Sequence, residues 1–142
     1  MFRQALMLTL LSAAAAYGTL LWHPRAPALY AIEEPVRDDE VTLAQIQERW
    51  QGDVLWLDAR PRDQYEASHI PDAELLNEQE FDNQLFELLS TLQTNTKPVI
   101  IYCAGERCDA SRKIREKLLQ TVPLEQCYVL KGGWQAWQAR AK

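Results

Sequence analysis

Val99-Ile100-Ile101-Tyr102-Cys103-Ala104-Gly105-Glu106-Arg107-Cys108-Asp109 is the stretch on which the reading of this chain turns. Its first four residues are unbroken Val, Ile and Tyr, the pattern of a strand buried on both faces rather than one with a wet side. A cysteine follows at once, then five loop residues, then a helical pattern over Ala110–Gln120 with Ile114 and Leu118 on one face and Arg112, Lys113, Arg115 and Lys117 elsewhere. Two more apolar runs, Val54–Leu57 and Cys127–Leu130, repeat the strand signal. Helical periodicity fills the gaps: Glu80–Leu92 spaces Phe81, Leu85, Leu88, Leu89 and Leu92 by threes and fours, and a shorter pattern covers Thr42–Trp50. Strands alternating with helices predict an α/β domain, a mostly parallel central sheet flanked by helices. An all-helical bundle fails on Pro61, Pro71, Pro98, Pro123, Gly132 and Gly133, which fall where such a bundle needs continuous helix.

The domain so defined runs from about residue 41 to 142. In 142 residues there is room for one domain of ordinary size, and 47% hydrophobic with 25% charged residues excludes low-complexity or wholly disordered chains. A net charge of −5 without a long basic run excludes a phosphate-backbone footprint, so nucleic acid is not an expected partner. Three cysteines are too few for a disulfide scaffold, and two histidines leave few ligands for zinc, so no metal is expected. Upstream, Gln4–Trp22 is nineteen residues without a charge, long enough to nearly cross a bilayer as a hydrophobic helix. Residues 1–23 therefore read as a membrane anchor, or as a cleaved signal using the small residues Ala13–Ala16 or Ala26-Pro27-Ala28. Either places the domain outside the cytoplasm, exported, periplasmic or membrane-anchored, and the membrane is a partner through this segment if it is kept. Residues 24–40 carry three of seven prolines and mixed charge and read as a linker. Oligomeric state has no signature in the sequence.

Ligands of open parallel sheets bind off the carboxyl ends of the strands. Asp58-Ala59-Arg60-Pro61, Cys103–Asp109 and Lys131-Gly132-Gly133-Trp134 all follow strand signals and collect on that edge. A cysteine there, with Ala104, Gly105, Glu106, Arg107 and Cys108 curling ahead of a helix, has its sulfur in a cradle of backbone N–H groups and near the positive helix end, conditions that stabilise an anionic sulfur. The same Cys103 also reads as a small buried hydrophobe, and spacing alone leaves both readings open. Asp58, Arg60 and Asp109 are expected to support the loop, Asp58 by accepting backbone or Arg hydrogen bonds. His69 is expected to be a turn histidine rather than a proton shuttle. Cys127 should be core packing at the strand end away from the chemistry. Gly132-Gly133 permits a close approach to the loop, Trp134 and Trp137 read as core lids in preference to substrate platforms, and the basic face of Arg112, Lys113, Arg115 and Lys117 reads most simply as a solvated helix surface, the other reading being a dock for an acidic partner near the cysteine.

Four of these segments together resemble the rhodanese family of sulfurtransferases. Val54-Leu-Trp-Leu-Asp-Ala-Arg60 is similar to its strand ending in Asp-Val-Arg, and Tyr65-Glu-Ala-Ser-His-Ile-Pro-Asp-Ala73 to its Glu-x-x-Gly-His-Ile-Pro-Gly-Ala. Val99–Cys103 resembles the strand delivering its active cysteine, and Val129-Leu-Lys-Gly-Gly-Trp134 with Trp137 its closing Leu-x-Gly-Gly-x-x-x-Trp. The resemblance covers Val41–Trp137 and implies a Cys103 nucleophile, double displacement through a Cys103 persulfide, a small sulfur donor, a thiol or other nucleophilic acceptor, and no cofactor. The family's loop, Cys-x-x-Gly-x-Arg-Ser, is altered here: Gly105 is third, Arg107 fifth, Cys108 sixth and Asp109 seventh. One positive charge against Glu106 and Asp109 disfavours a dianion such as thiosulfate relative to a singly charged persulfide. Asp109, six after Cys103, stands where Cys-x5-Arg phosphatases and arsenate reductases hold an oxyanion, which argues against that chemistry. Cys108 reads either as a resolving thiol or as a small residue where loop meets helix. A rival function follows: an exported non-catalytic or redox-sensing module that uses Cys103 and Cys108 as a reversible dithiol.

Overall fold

The computed structural model describes residues 35–105 and 109–140, together with Met7, Thr9, Leu10, Ser12, Tyr17 and Gly18. The chain divides into two units after Pro35, and the second carries the sheet. The hydrophobic segment expected over residues 1–23 falls almost entirely outside the described residues. Among those described, no helix is long and apolar enough to cross a membrane.

In chain order the elements are β1 (Glu40–Val41), α1 (Leu43–Trp50), β2 (Leu55–Asp58), α2 (Arg62–Ala67), β3 (Glu74–Leu75), α3 (Phe81–Thr94), β4 (Val99–Tyr102), α4 (Ala110–Thr121), β5 (Cys127–Leu130) and α5 (Gly133–Ala139). The five strands form one sheet in the order β1-β5-β4-β2-β3, and every pairing is parallel. The expectation of a mostly parallel sheet flanked by helices holds. Two strand signals match residue for residue, while β2 begins one residue late because the first ladder bond runs from the Leu55 N–H to the Pro98 carbonyl.

β4 lies between β5 and β2, so both its edges are hydrogen-bonded, and with helices packed on both faces all four of its residues are fully buried. The two-residue period of a strand then sorts the core into two clusters. Val99, Ile101 and Cys103 join Phe81, Leu85, Leu88 and Leu92 of α3 and Ile114 and Leu118 of α4. On the other face Ile100 and Tyr102 join Val41, Ile46, Trp56 and Ile70, with Trp134 and Trp137 packed against them. Cys103 thus continues the alternation of β4 onto the α4 side.

Local chemistry fixes the element ends. Thr42 starts α1 through a capping box, its hydroxyl accepting from the Gln45 N–H at 3.2 Å while its own N–H donates to Gln45 Oε1 at 2.9 Å. Such a cap is worth about 1 kcal/mol. α1 stops at Gln51 and Gly52, both left-handed. The basic face of α4 is not simply solvated, which corrects the sequence reading. Arg112 ion-pairs with Asp39 at 3.3 Å and Glu40 at 2.9 Å, tying α4 to β1 and the residue before it. Arg115 donates to the Cys127 carbonyl at 2.7 Å, and Lys117 lies over the Phe81 ring. Lys113 pairs with Glu78 at 3.4 Å.

Candidate functional site

Cys103 is the first residue past β4, and the chain around it is fixed by hydrogen bonds from two neighbouring segments. The Ala59 N–H donates to the Tyr102 carbonyl at 2.8 Å, and the Trp134 N–H donates to the Cys103 carbonyl at 2.7 Å. The second bond requires α5 to start against the loop. Gly133 makes that possible: its φ is +50°, and a Cβ placed there would meet the Cys103 carbonyl oxygen at 2.3 Å. Gly132 is also left-handed, at φ +74°. The expected close approach of the glycine pair is therefore made on Cys103 itself.

The sulfur faces the interior. Cys103 is 3% exposed, its Sγ accepts from the Ser111 hydroxyl at 3.4 Å and lies 3.7 Å from the Gly105 carbonyl oxygen. Ser111, the second residue of α4, is fully buried, and no sequence pattern marked it. Cys103 is disulfide-bonded, whereas Cys127 is free. Of the expected cradle, Ala104 is exposed and Gly105 half-buried, with the Gln135 side chain within 3.1 Å of where a Gly105 Cβ would stand. Glu106, Arg107 and Cys108 lie outside the described residues, and with them the cradle's N–H groups and the loop's charge balance.

Asp58 and Arg60 brace the neighbouring strand end. Asp58 is fully buried and Arg60 4% exposed. The guanidinium donates to both carboxylate oxygens, with Nη2 to Oδ2 at 2.6 Å, and the Arg60 N–H donates to Oδ1 at 2.9 Å. Burial works against the Arg60 charge, and the Asp58 carboxylate more than offsets it, holding the guanidinium above its ordinary value. The same group donates to the Ser68 carbonyl at 2.7 Å and stacks 4.3 Å from the Trp134 ring. Through Trp134 this pair supports the residue whose N–H holds Cys103. Tyr102 completes the block: burial raises its hydroxyl well above the usual phenol range, and it accepts from the Ile70 N–H at 3.1 Å.

Asp109, His69 and Cys127 make their own contacts elsewhere. Asp109 occupies the cap position of α4 without a side-chain capping bond, is exposed, and pairs with Arg112 at 3.3 Å. An exposed pair of this kind contributes little, about 0–1 kcal/mol. His69 is exposed, donates from Nδ1 to the Tyr65 carbonyl at 2.8 Å and stacks on the Tyr65 ring. Both contacts go to Tyr65 of α2 rather than to the Cys103 loop. Cys127, in the core at the far end of β5, has its thiol pushed up to about 11 by burial, against the opposing pull of Arg115. It is unsuited to nucleophilic work. An open pocket of about 450 Å³ lies near Cys127, between Lys97 and Gln126, remote from the carboxyl strand ends. A smaller one of about 360 Å³ opens between Ala59, Asn77, Asp109 and Lys113, on the loop side. No group of His, Cys, Asp or Glu among the described residues is arranged to hold a metal.

This geometry is joined by a match of residues 42–140 to the model of the Rhodanese-like domain. The chain belongs to the rhodanese-like domain family. A curated relative, the HTH-type transcriptional regulator Rv0324 of Mycobacterium tuberculosis, is 33% identical over 84 residues, covering 56% of this chain and 35% of its own length. This chain thus spans about a third of that relative. Among solved structures, the BH2092 protein of Bacillus halodurans is similar at TM-score 0.55 and 24% identity, with 72% of each chain covered. A thiosulfate sulfurtransferase of Pseudomonas aeruginosa is similar at TM-score 0.57 and 22% identity, over 76% of this chain and 19% of that one. At these identities the structures share the rhodanese-like fold with this chain.

Proposed function

We propose that this rhodanese-like domain is a sulfurtransferase that carries a sulfane sulfur as a persulfide on Cys103. The observation that supports the reading best is the seating of Cys103 at the carboxyl end of the central strand, its carbonyl held by the Trp134 N–H and its sulfur beside the Ser111 hydroxyl. In the reduced protein the Cys103 thiolate attacks the outer sulfur of a donor persulfide. The donor's S–S bond breaks, its electron pair leaves with the donor thiolate, and a Cys103 persulfide forms. A thiol acceptor then takes the outer sulfur in the reverse sense, and no cofactor enters. Ala104 and Gly105 with Glu106, Arg107 and Cys108 form the substrate-binding loop in this proposal. The donor is a singly charged persulfide in preference to thiosulfate, because Glu106 and Asp109 oppose Arg107. We place the domain outside the cytoplasm, where disulfides persist.

The disulfide at Cys103 favours one second reading: a redox module in which Cys103 and Cys108 cycle between dithiol and disulfide. Kinetics separate the two. With a persulfide donor and excess dithiol, Cys103→Ser should lose transfer by at least a hundredfold while Cys127→Ser stays within threefold of the parent. Equal losses in both variants would overturn the assignment, and a parent protein that is reduced and reoxidised but never turns over donor would leave the redox reading in its place.

A further inference from the structure

We propose that Ser111 is a catalytic residue of this site, its hydroxyl donating a hydrogen bond to the Cys103 sulfur anion. The inference rests on the proposed role of Cys103 and adds the side chain that makes its sulfur a competent nucleophile. Ser111 is the second residue of α4 and fully buried, and its Oγ stands 3.4 Å from Cys103 Sγ. A hydroxyl removed from water must hydrogen-bond or cost stability, and a small apolar residue fills the same volume without that demand. Its neighbours on α4, Ile114 and Leu118, are apolar core. A serine here thus keeps a buried hydroxyl against the reacting atom.

The chemistry follows from which form of sulfur accepts best. A disulfide sulfur, the form in this structure, is a weak acceptor. Once a dithiol reductant opens the bond, the acceptor is a thiolate, and a hydrogen bond to an ionised partner is roughly twice as strong as a neutral one. The bond therefore favours thiolate over thiol. During transfer the donor S–S bond breaks and the Cys103–S bond forms, negative charge passing to the donor thiolate and the outer sulfur. Ser111 keeps its proton throughout, and its bond is strongest to the Cys103 thiolate, before the sulfur arrives and again after the acceptor has taken it.

The charged groups on the elements around Cys103 are Asp58 at the end of β2 with Arg60 beyond it, Asp82 and Glu87 of α3, Asp109 with Arg112, Lys113, Arg115, Glu116 and Lys117 of α4, and Lys131 ahead of α5. β5 contributes none. Ser111→Ala leaves all of them in place, so a change in the behaviour of Cys103 reports the hydroxyl.

The test is alkylation of the dithiol-reduced full chain by iodoacetamide across pH, with modification read at the Cys103 peptide by mass. Ser111→Ala should move the Cys103 profile upward by about one pH unit, an approximately tenfold slower reaction below the midpoint, while Ser111→Thr, which retains a hydroxyl, returns to within threefold of the parent. A Cys103 profile unmoved in a folded Ser111→Ala protein overturns the proposal. If Ser111→Ala fails to fold, Ser111→Gly is read in its place against the same two outcomes. Alkylation needs no sulfur donor: a shifted profile in a protein that never accepts sulfur would sustain this inference while removing the sulfurtransferase reading, and an unmoved profile in an active enzyme would do the reverse.

Discussion

Gly133 shows how far one residue constrains the site. It combines a left-handed φ of +50° with a carbonyl oxygen only 2.3 Å from where its Cβ would be, and that oxygen belongs to Cys103. Alanine there meets backbone strain and a rigid neighbour together, about 1–3 kcal/mol for the strain alone. Gly133→Ala should lower the denaturant midpoint and reduce transfer by more than tenfold, since relief can come only by moving Cys103 or α5. Gly105→Ala is the matched control: its Cβ meets the flexible end of Gln135 at 3.1 Å, which can swing aside, so stability should change by less than about 1 kcal/mol. Equal destabilisation of the two proteins, measured by urea titration, would contradict this account. At this scale the sequence was legible where backbone demands a residue type, as at Gly132-Gly133, and where a strand end meets a reactive side chain, as at Cys103. Ser111 was not legible, because a serine opening an amphipathic helix looks like any surface serine until the fold carries a cysteine eight residues earlier against it.

Elements long enough to show a period were readable, and short ones were not. The signals of β2, β4, β5, α1, α3 and α4 stood out in the sequence because each buries a defined face. β1 and β3 contribute two residues each, too few for any alternation, and are strands only because β5 and β2 pair with them. α2 buries no residue, so it lacks an apolar stripe. The ties of Arg112 to Asp39 and Glu40 join positions more than seventy apart in sequence, which no local pattern encodes. One consequence of β5 is measurable. Its first residue, Cys127, has a thiol raised from 9.0 to about 11, so the unfolded chain ionises there before the folded one does. Stability from this group is complete below about pH 9 and is lost as pH rises toward 11, on the order of 2–3 kcal/mol in all. Cys127→Ala should be destabilised at neutral pH, and its deficit against the parent should narrow between those limits in urea titrations. A deficit constant across pH would show that Cys127 does not carry this dependence.

For the whole molecule, the parallel order β1-β5-β4-β2-β3 brings the ends of β2 and β4 and the start of α5 to one edge. That is why segments separated by dozens of residues in sequence meet around a single sulfur. The fold was readable because four motifs occur in order, whereas the state of the sulfur was not: whether two cysteines five apart are joined depends on Cα spacing and Cβ direction that a loop sequence leaves open. Cys103 in its disulfide has no thiolate to offer, so the proposed transfer requires prior reduction. The most direct measurement is the mass of the purified protein after exposure to a small-molecule persulfide, with and without prior treatment by a dithiol that is then removed. A gain of one sulfur is expected in the reduced protein, carried by the Cys103 peptide and removed by fresh dithiol, and no gain in the oxidised protein. A reduced protein that gains no sulfur, or gains it on Cys127, would contradict the proposed transfer.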